Sequence, residues 1–497
     1  MTIVLLVVIV GINVFDSLCI ERYLGIRVLD ENTLENAEYV YKDYSNDISI
    51  NRERAAIDIK SSTIYISQCV KDDVDEKNDG LSRISISDPF LKVFFLRDES
   101  FDDMRKAIET GHIFKLAIMN YNRQYMLYDV VFTTLPVLRL TAEQYGVGDF
   151  GWTEVSGNMC LWTPSGFGSD NYSAVTSNLR WHVRGGSTFT NTKKSLKLSL
   201  SYTNGQKRNI SLLDMGSDDD WILNAMSMDD LKLREKLTMD IWNQIIAVDN
   251  SQDKPMTNGE YVELVSEGVY CGVYLLQRRV DKKYLKLDPN DILLKGKNVW
   301  AADSLEEGYD IIYSQWTAGE TYDYLRSIRF SEDMSMINIS NFIDVNILLQ
   351  LGSMPDNVGY KNMFYLLKEE NGERMLYFVP WDTDMSFGVT YTSGWACDYD
   401  YSLGFESQRM EYVEVSRLYP DLDKRTSERW FELRETKLTN ENVLQLCYDN
   451  KNTLVESGVL EREYTANGKR FENQDDWALL EEYIEGRLAW LDTYYQN

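Results

Sequence analysis

Two apolar runs, Met363-Phe-Tyr-Leu-Leu367 and Met375-Leu-Tyr-Phe-Val379, are separated by Asn371-Gly372, and their outer ends carry Asp356, Asn362, Asp382 and Asp384. Runs of this length and composition read as strands, and an Asn-Gly pair between them closes a tight hairpin. A tight hairpin brings the four polar residues to one rim. If the second strand continues past Val379, Asp382 and Asp384 project from the same face, where a divalent cation can bridge them. Asp356 and Asn362 bracket a glycine-containing turn beside that pair. The spacing therefore predicts one shared metal and phosphate site.

The rest of the composition narrows the chemistry. With 497 residues, 44% hydrophobic and 12% aromatic, and only 8 prolines, the chain buries a large core and has no low-complexity linker. A formal net charge of -28 opposes binding to a polyanion, so nucleic acid is not expected as a partner. The only histidines, His112 and His182, are far apart, which leaves a His-rich metal site or a Ser-His-Asp triad without material. Acid–base chemistry must then rest on carboxylates. Six scattered cysteines without a C-x-x-C pair exclude a zinc ribbon and read mostly as free buried thiols.

Thr2 to Val14 is a continuous apolar run closed by Asp16, and residues 1–18 are expected to be a signal or signal-anchor segment. That places the body outside the cytoplasm, with membrane anchoring through residues 2–18 as one outcome. Residues 19–131 form an acidic, β-rich extension. Within it residues 22 to 85 read as a stalk or loosely packed cap, Ser62 to Val70 as a strand, and Phe101 to Glu109 as a short helix. The catalytic or binding body spans 132–450, and 451–497 is a helical tail, with Trp477 to Tyr495 at amphipathic spacing.

Within the body, Leu179 to Leu200 reads as strand, Gly-Gly-Ser turn and strand, the second strand alternating Leu196, Leu198 and Leu200 with Ser195, Lys197 and Ser199. Gly185 and Gly186 allow close backbone approach, Ser187 offers N–H and hydroxyl donors, and Arg184, Lys194 and Lys197 add charge, so this hairpin can cover a triphosphate. A helix is predicted from Met228, capped near Ser227, with Leu233, Leu237, Ile241 and Ile245 on its core side and Arg234 and Glu235 beside that seam. A helix-borne glutamate here can hold a phosphate-binding lysine. Tyr261 to Val265 and Gly268 to Leu276 form a further hairpin, running into Gln277-Arg-Arg.

Taken in order, Leu135-Pro-Val-Leu, Arg184-Gly-Gly-Ser-Thr with Lys193-Lys-Ser-Leu-Lys-Leu, Trp221-Ile-Leu with Leu233-Arg, Gly259-Glu-Tyr with Gly272-Val-Tyr-Leu-Leu, Asp356 with Asn362-Met-Phe-Tyr, and Pro380-Trp-Asp-Thr-Asp-Met-Ser-Phe-Gly form a series. This series resembles the CotH kinase family, named for a bacterial spore-coat protein. The resemblance covers residues 132–450. It implies an α+β fold with a protein-kinase-like two-lobed catalytic domain behind the β-rich extension. It also implies ATP with Mg²⁺ or Mn²⁺ as cofactors, and phosphoryl transfer to Ser or Thr of secreted, coat or cell-surface proteins.

Carried onto this chain, Asp356 resembles the catalytic-loop aspartate, with Asp384 as its partner in catalysis, and Asp382, Asp384 and Asn362 resemble the metal ligands. Arg184, Ser187, Lys194, Lys197 and Glu235 resemble the nucleotide-binding set. Three positions depart from the pattern. Asp356 and Asn362 are six apart where kinases have five, so Asn357 competes for the aligned place; Arg278 and Arg279 follow Gln277 where relatives carry a Glu; and Ser199 replaces a further basic residue. A catalytically inactive surface or coat component that binds protein or glycan partners, through aromatics such as Trp395, Tyr399 and Tyr401, is the alternative. Glycoside hydrolysis ranks third, because residues two apart on a strand lie about 6.5–7 Å apart and point the same way rather than flanking a sugar.

Overall fold

In a computed structural model, the structure describes residues 26–68, 84–97, 107–108, 110–143, 153–164, 173–185, 191–247, 256–297, 303–330, 334–357, 362–370, 372–390, 394–395, 399–400, 415–469 and 477–496. The apolar run at residues 2–14, Ser187, Tyr401, the side chain of Trp395, and most of the helix expected over Phe101 to Glu109 lie outside them. Among the described residues no helix is long and apolar enough to cross a membrane. Contacts divide the chain into two units, one made of 1–225, 261–276 and 452–468, the other of 226–260, 277–451 and 469–497.

The first unit holds a seven-stranded mixed sheet built from residues 27–133 and a closed seven-stranded barrel. Residues 44–68 are packed, contrary to the stalk or loose cap read from the charge of this region, while 29–43 are exposed or half-buried. Ile48, Ile57, Ile64 and Ile66 are buried with Tyr44 and Tyr128, and the Tyr128 hydroxyl accepts from Tyr44 N at 2.9 Å. Ile48 and Ile50 bury one face around the half-buried Ser49, whereas Thr63–Ser67 is buried on both faces.

The barrel runs β1 (Val137–Ala142), β2 (Val155–Thr163), β3 (Ser173–Arg184), β4 (Ser195–Ser201), β5 (Asp220–Asn224), β7 (Val269–Arg278) and β6 (Gly259–Ser266) in spatial order. The β3–β4 hairpin is as the alternation predicts: Leu196, Leu198 and Leu200 are buried while Ser195, Lys197 and Ser199 are partly exposed. What the local pattern does not announce is closure. Parallel pairing of β1 with β6, Val137 against Glu263 through Leu140 against Ser266, joins strands more than a hundred residues apart and removes the edges of the sheet. The barrel interior is filled by Trp181, Trp221, Tyr274 and the inward leucines.

In the second unit a four-stranded sheet runs β9 (Tyr309–Tyr313), β8 (Ile292–Gly296), β10 (Met363–Glu370) and β11 (Glu373–Pro380). The predicted β10–β11 hairpin is present, with Glu370 opposite Glu373 at the turn and Met363 opposite Pro380 at the rim. Its helices include α1 (Arg234–Ile241), α2 (Ile339–Gly352), α3 (Leu422–Thr436) and α4 (Trp477–Tyr494). Helix and strand thus mix as an α+β fold requires. Helix α2 is apolar on nearly every side and buried along most of its length. Asn341 near its start imitates a strand partner: its Oδ1 accepts from Phe378 N at 2.7 Å and its Nδ2 donates to Phe378 O at 3.1 Å.

Helix α4, read from its amphipathic spacing, buries Leu480, Ile484, Leu488 and Leu491. It also buries Arg487, which donates from Nε to Gln350 O at 2.8 Å and from Nη1 to Tyr399 O at 2.9 Å. Gln350 lies in the last turn of α2, where its carbonyl also accepts from Ser353 N at 3.1 Å and the helix dipole favours a cation. Arg487→Met is expected to lower stability by about 2–4 kcal/mol, since it strips charge-assisted bonds from buried carbonyls. Urea unfolding checks this, and a loss under ~1 kcal/mol would show that α4 docks by apolar contact alone.

Candidate functional site

Helix α2 delivers the chain to the site. It ends at Ser353, in the left-handed conformation, and Pro355 opens a short 3-10 turn, Pro355–Asn357, that presents Asp356. Asn357, completely buried, donates its amide to Asn362 O at 3.0 Å and Trp381 O at 2.8 Å. Asn357 therefore locks the loop to the hairpin rim. Asp356 is the residue aimed at Asn362, whose Nδ2 donates to Asp356 Oδ2 at 2.7 Å.

On the other side of the rim the strand does not continue as expected. Trp381 N still reaches Asn362 O at 3.2 Å, but Asp382 has φ of +59°, as Asn362 has φ of +51°. Asn and Asp tolerate this left-handed region better than most side chains, and here each ends its strand. A different contact fixes the segment between Asp382 and Asp384. Thr383 between them is fully buried, and Glu235 of α1 accepts from both its backbone N and its Oγ1, the latter at 3.0 Å. Pulling Thr383 inward leaves Asp382 and Asp384 partly exposed on either side of it.

Glu235 thus acts on the aspartate segment. Its helix begins at Arg234, six residues later than predicted; the N-cap is Leu233, and the carboxylate that serves the first N–H groups comes from Asp229 rather than Ser227. Asp229 Oδ2 accepts from Leu233 N at 2.8 Å and Arg234 N at 2.7 Å. The predicted seam is right: Leu233, Leu237, Ile241 and Ile245 are all buried. Arg234, fully buried, pairs with Asp229 and donates from Nε to Phe387 O at 3.4 Å, while Thr238 Oγ1 meets Ser386 Oγ at 3.5 Å. From the other direction Phe387 N donates to Gly352 O at 2.7 Å. The segment after the aspartates is gripped by α1 and by the end of α2.

The electrostatics follow from this packing. Loss of hydration, then the charges of Asp382, Glu235, Asp356 and Asp229, push the Asp384 carboxyl well above the usual carboxylate range. Asp384 therefore feels Asp382, Glu235 and Asp356, and Asn362 touches Asp356. Among the described residues no three His, Cys, Asp or Glu side chains stand ready as a metal cage. Mg²⁺ sites of the phosphoryl-transfer kind use only one or two carboxylates plus phosphate oxygens and water, and a crowded anionic pair at Asp382 and Asp384 suits that donor set.

The other sequence-picked residues lie in the first unit. Arg184 stands opposite Ser195 at the end of β3, and Lys194 is partly exposed. Lys197 is paired with Asp220 at 3.3 Å, and Ser199, at the position where relatives have a further base, donates to the same Asp220 at 2.6 Å. Sequence reasoning missed Lys193, the buried lysine of this stretch, which binds Glu463. It also missed Lys295 on β8, whose Nζ lies 5.8 Å from the Phe364 ring and 5.9 Å from the Trp381 ring, next to the rim. Arg278, at the position of charge reversal, is buried with its guanidinium 4.9 Å from the Tyr284 ring. Cys160, Cys271 and Cys447 are free thiols.

Comparison with known families decides the assignment. The family model described as CotH kinase protein matches residues 181–491, more than half of the chain. The chain belongs to the CotH kinase protein family. Within it, the CotH match takes in the end of β3, β4, α1, Asp356 and the Asp382–Asp384 segment. No curated protein matches the chain.

Proposed function

We propose that this CotH protein is an exported atypical protein kinase that transfers the γ-phosphate of ATP to Ser or Thr of secreted, coat or cell-surface proteins. The observation that carries the reading is the contact of Asn362 with Asp356, with Asp356 and Asp382 both acting on the carboxyl of Asp384. The order of elements supports a protein-kinase-like catalytic lobe: a buried helix, a loop with Asp356, a hairpin, then the aspartate segment clamped by α1. In the proposed organisation residues 1–18 export or anchor the chain, 19–131 form the extension, 132–450 the kinase-like domain and 451–497 the tail.

Mg²⁺ or Mn²⁺, held by Asp382, Asp384 and Asn362, would supply the positive charge that neutralises the phosphates. The chain's own groups do the rest. Asn362 fixes one oxygen of Asp356, and Asp356 orients the acceptor hydroxyl and takes its proton. Glu235 holds Thr383 and so keeps Asp382 and Asp384 facing out. The charges of Arg184, Lys194 and Lys197, with Ser187 as an added donor, support their role as phosphate contacts. Asp356→Asn is expected to cut transfer of labelled γ-phosphate by about 10²–10⁴-fold while leaving ATP affinity within about threefold. Equal transfer by both proteins would remove Asp356 from the chemistry.

A second reading, a catalytically inactive coat or surface component, is favoured by the buried Arg278 at a position where relatives carry a Glu. Absence of any ATP binding by the wild type would select it.

A further inference from the structure

The loop between β3 and β4 spans the ten residues from Gly185 to Lys194, which is long for a hairpin connection, where about 2–5 residues are usual. At the β4 end of that loop Lys193 is tied down. Its Nζ, buried with the rest of the side chain, lies 2.9 and 2.8 Å from the two carboxylate oxygens of Glu463, donates to Val273 O, and sits 4.4 Å from the centre of the Tyr274 ring.

Glu463 comes from the helix Val459–Asn467, 270 residues downstream and within the same unit. It is completely buried, and Oε2 accepts from Val273 N at 2.9 Å and from Asn467 Nδ2 at 3.2 Å. The strand is shaped to receive it: Gly272 has φ of +88°, and a Cβ there would lie 1.9 Å from Glu463 Oε2. The preceding residue keys the helix a second time, Arg462 Nη2 meeting Glu263 Oε1 at 2.6 Å. Two apolar side chains would fill this space at lower desolvation cost than two charges, so the pair specifies position more than it adds stability.

We propose that Glu463 is a positioning residue for nucleotide binding: from the helix Val459–Asn467 it fixes Lys193 and thereby sets the root of the hairpin that carries Lys194 and Arg184. The consequence for nucleotide rests on the kinase reading above; the fixing of the hairpin does not. The test uses the full chain with Lys193→Met and Glu463→Leu combined, which removes both charges and leaves neither buried alone. Hydrogen exchange in peptides covering 185–194, and calorimetry with ATP and Mn²⁺, are measured beside the melting temperature.

Expected are exchange at least tenfold faster in that loop, ATP binding at least tenfold weaker, and an unaltered response to Mn²⁺ alone. Glu463→Gln, which keeps the shape and the bond from Val273 N, is expected to lose about a third as much ATP affinity and serves if the double variant does not fold. Unchanged loop exchange in a variant with wild-type melting overturns the proposal, as does unchanged ATP affinity. If the wild type itself binds no ATP, the kinase reading fails and loop exchange alone decides the role of Glu463.

Discussion

Asp384→Asn makes the metal-free protein more stable than the wild type and at the same time abolishes its stabilisation by Mn²⁺. Both effects have one cause. Lost hydration and the charges of Asp382, Glu235, Asp356 and Asp229 disfavour the ionised form of Asp384 that a cation would need. Asparagine keeps its size and removes that repulsion, so melting without metal is expected to rise by about 2–4 °C, the shift that roughly 1 kcal/mol produces in a domain of 150–250 residues. A cation present at a hundred times its dissociation constant stabilises the wild type by about 2.7 kcal/mol, and the variant forfeits this gain. A residue with a purely structural role gives the opposite sign in the first measurement. Differential scanning fluorimetry with and without Mn²⁺ reads both, and a less stable metal-free variant, or a retained Mn²⁺ shift, contradicts the assignment.

Arg234→Met is expected to cost about 3–5 kcal/mol, the usual penalty for breaking one side of a buried ion pair. Arg234 has no exposed surface, and its partner Asp229 is almost as deeply buried. Without the guanidinium, the Asp229 carboxylate keeps only backbone donors, among them Leu231 N at 3.1 Å and Leu233 N at 2.8 Å. The bond from Arg234 Nε to Phe387 O goes as well, and Phe387 has φ of +47°, which a bulky residue seldom adopts. The damage therefore reaches the segment that carries Asp384. Adding Asp229→Asn should recover part of the loss, because the orphaned charge disappears. Guanidinium unfolding of the two variants measures this, and a loss below ~1 kcal/mol for Arg234→Met would mean that Asp229 is satisfied by the backbone alone.

The parts of the fold written in short-range pattern were legible in the sequence. Alternating leucines from 196 to 200 and the apolar runs around Asn371-Gly372 set two hairpins and placed Asn362 beside Trp381. Spacing of three and four residues gave the buried faces of α1 and α4. Features set by distant partners were not legible. Barrel closure depends on β1 meeting β6, the start of α1 on a carboxylate reaching forward from Asp229, and Lys193 on a glutamate 270 residues away. None of these leaves a periodic trace. At the site, the sequence assembled Asp356, Asn362, Asp382 and Asp384, but by a continuing strand. The structure reaches the same grouping through a left-handed break at Asp382 and an inward-drawn Thr383.

Calorimetric titration of ATP with Mn²⁺ into the full chain tests the central claim most directly, with Asp384→Asn as the paired control. Saturable one-site binding by the wild type and its loss in the variant is the expected result. No heat of binding in either protein, with both folded, would contradict a nucleotide site at Asp382 and Asp384 and leave the chain a CotH-family scaffold.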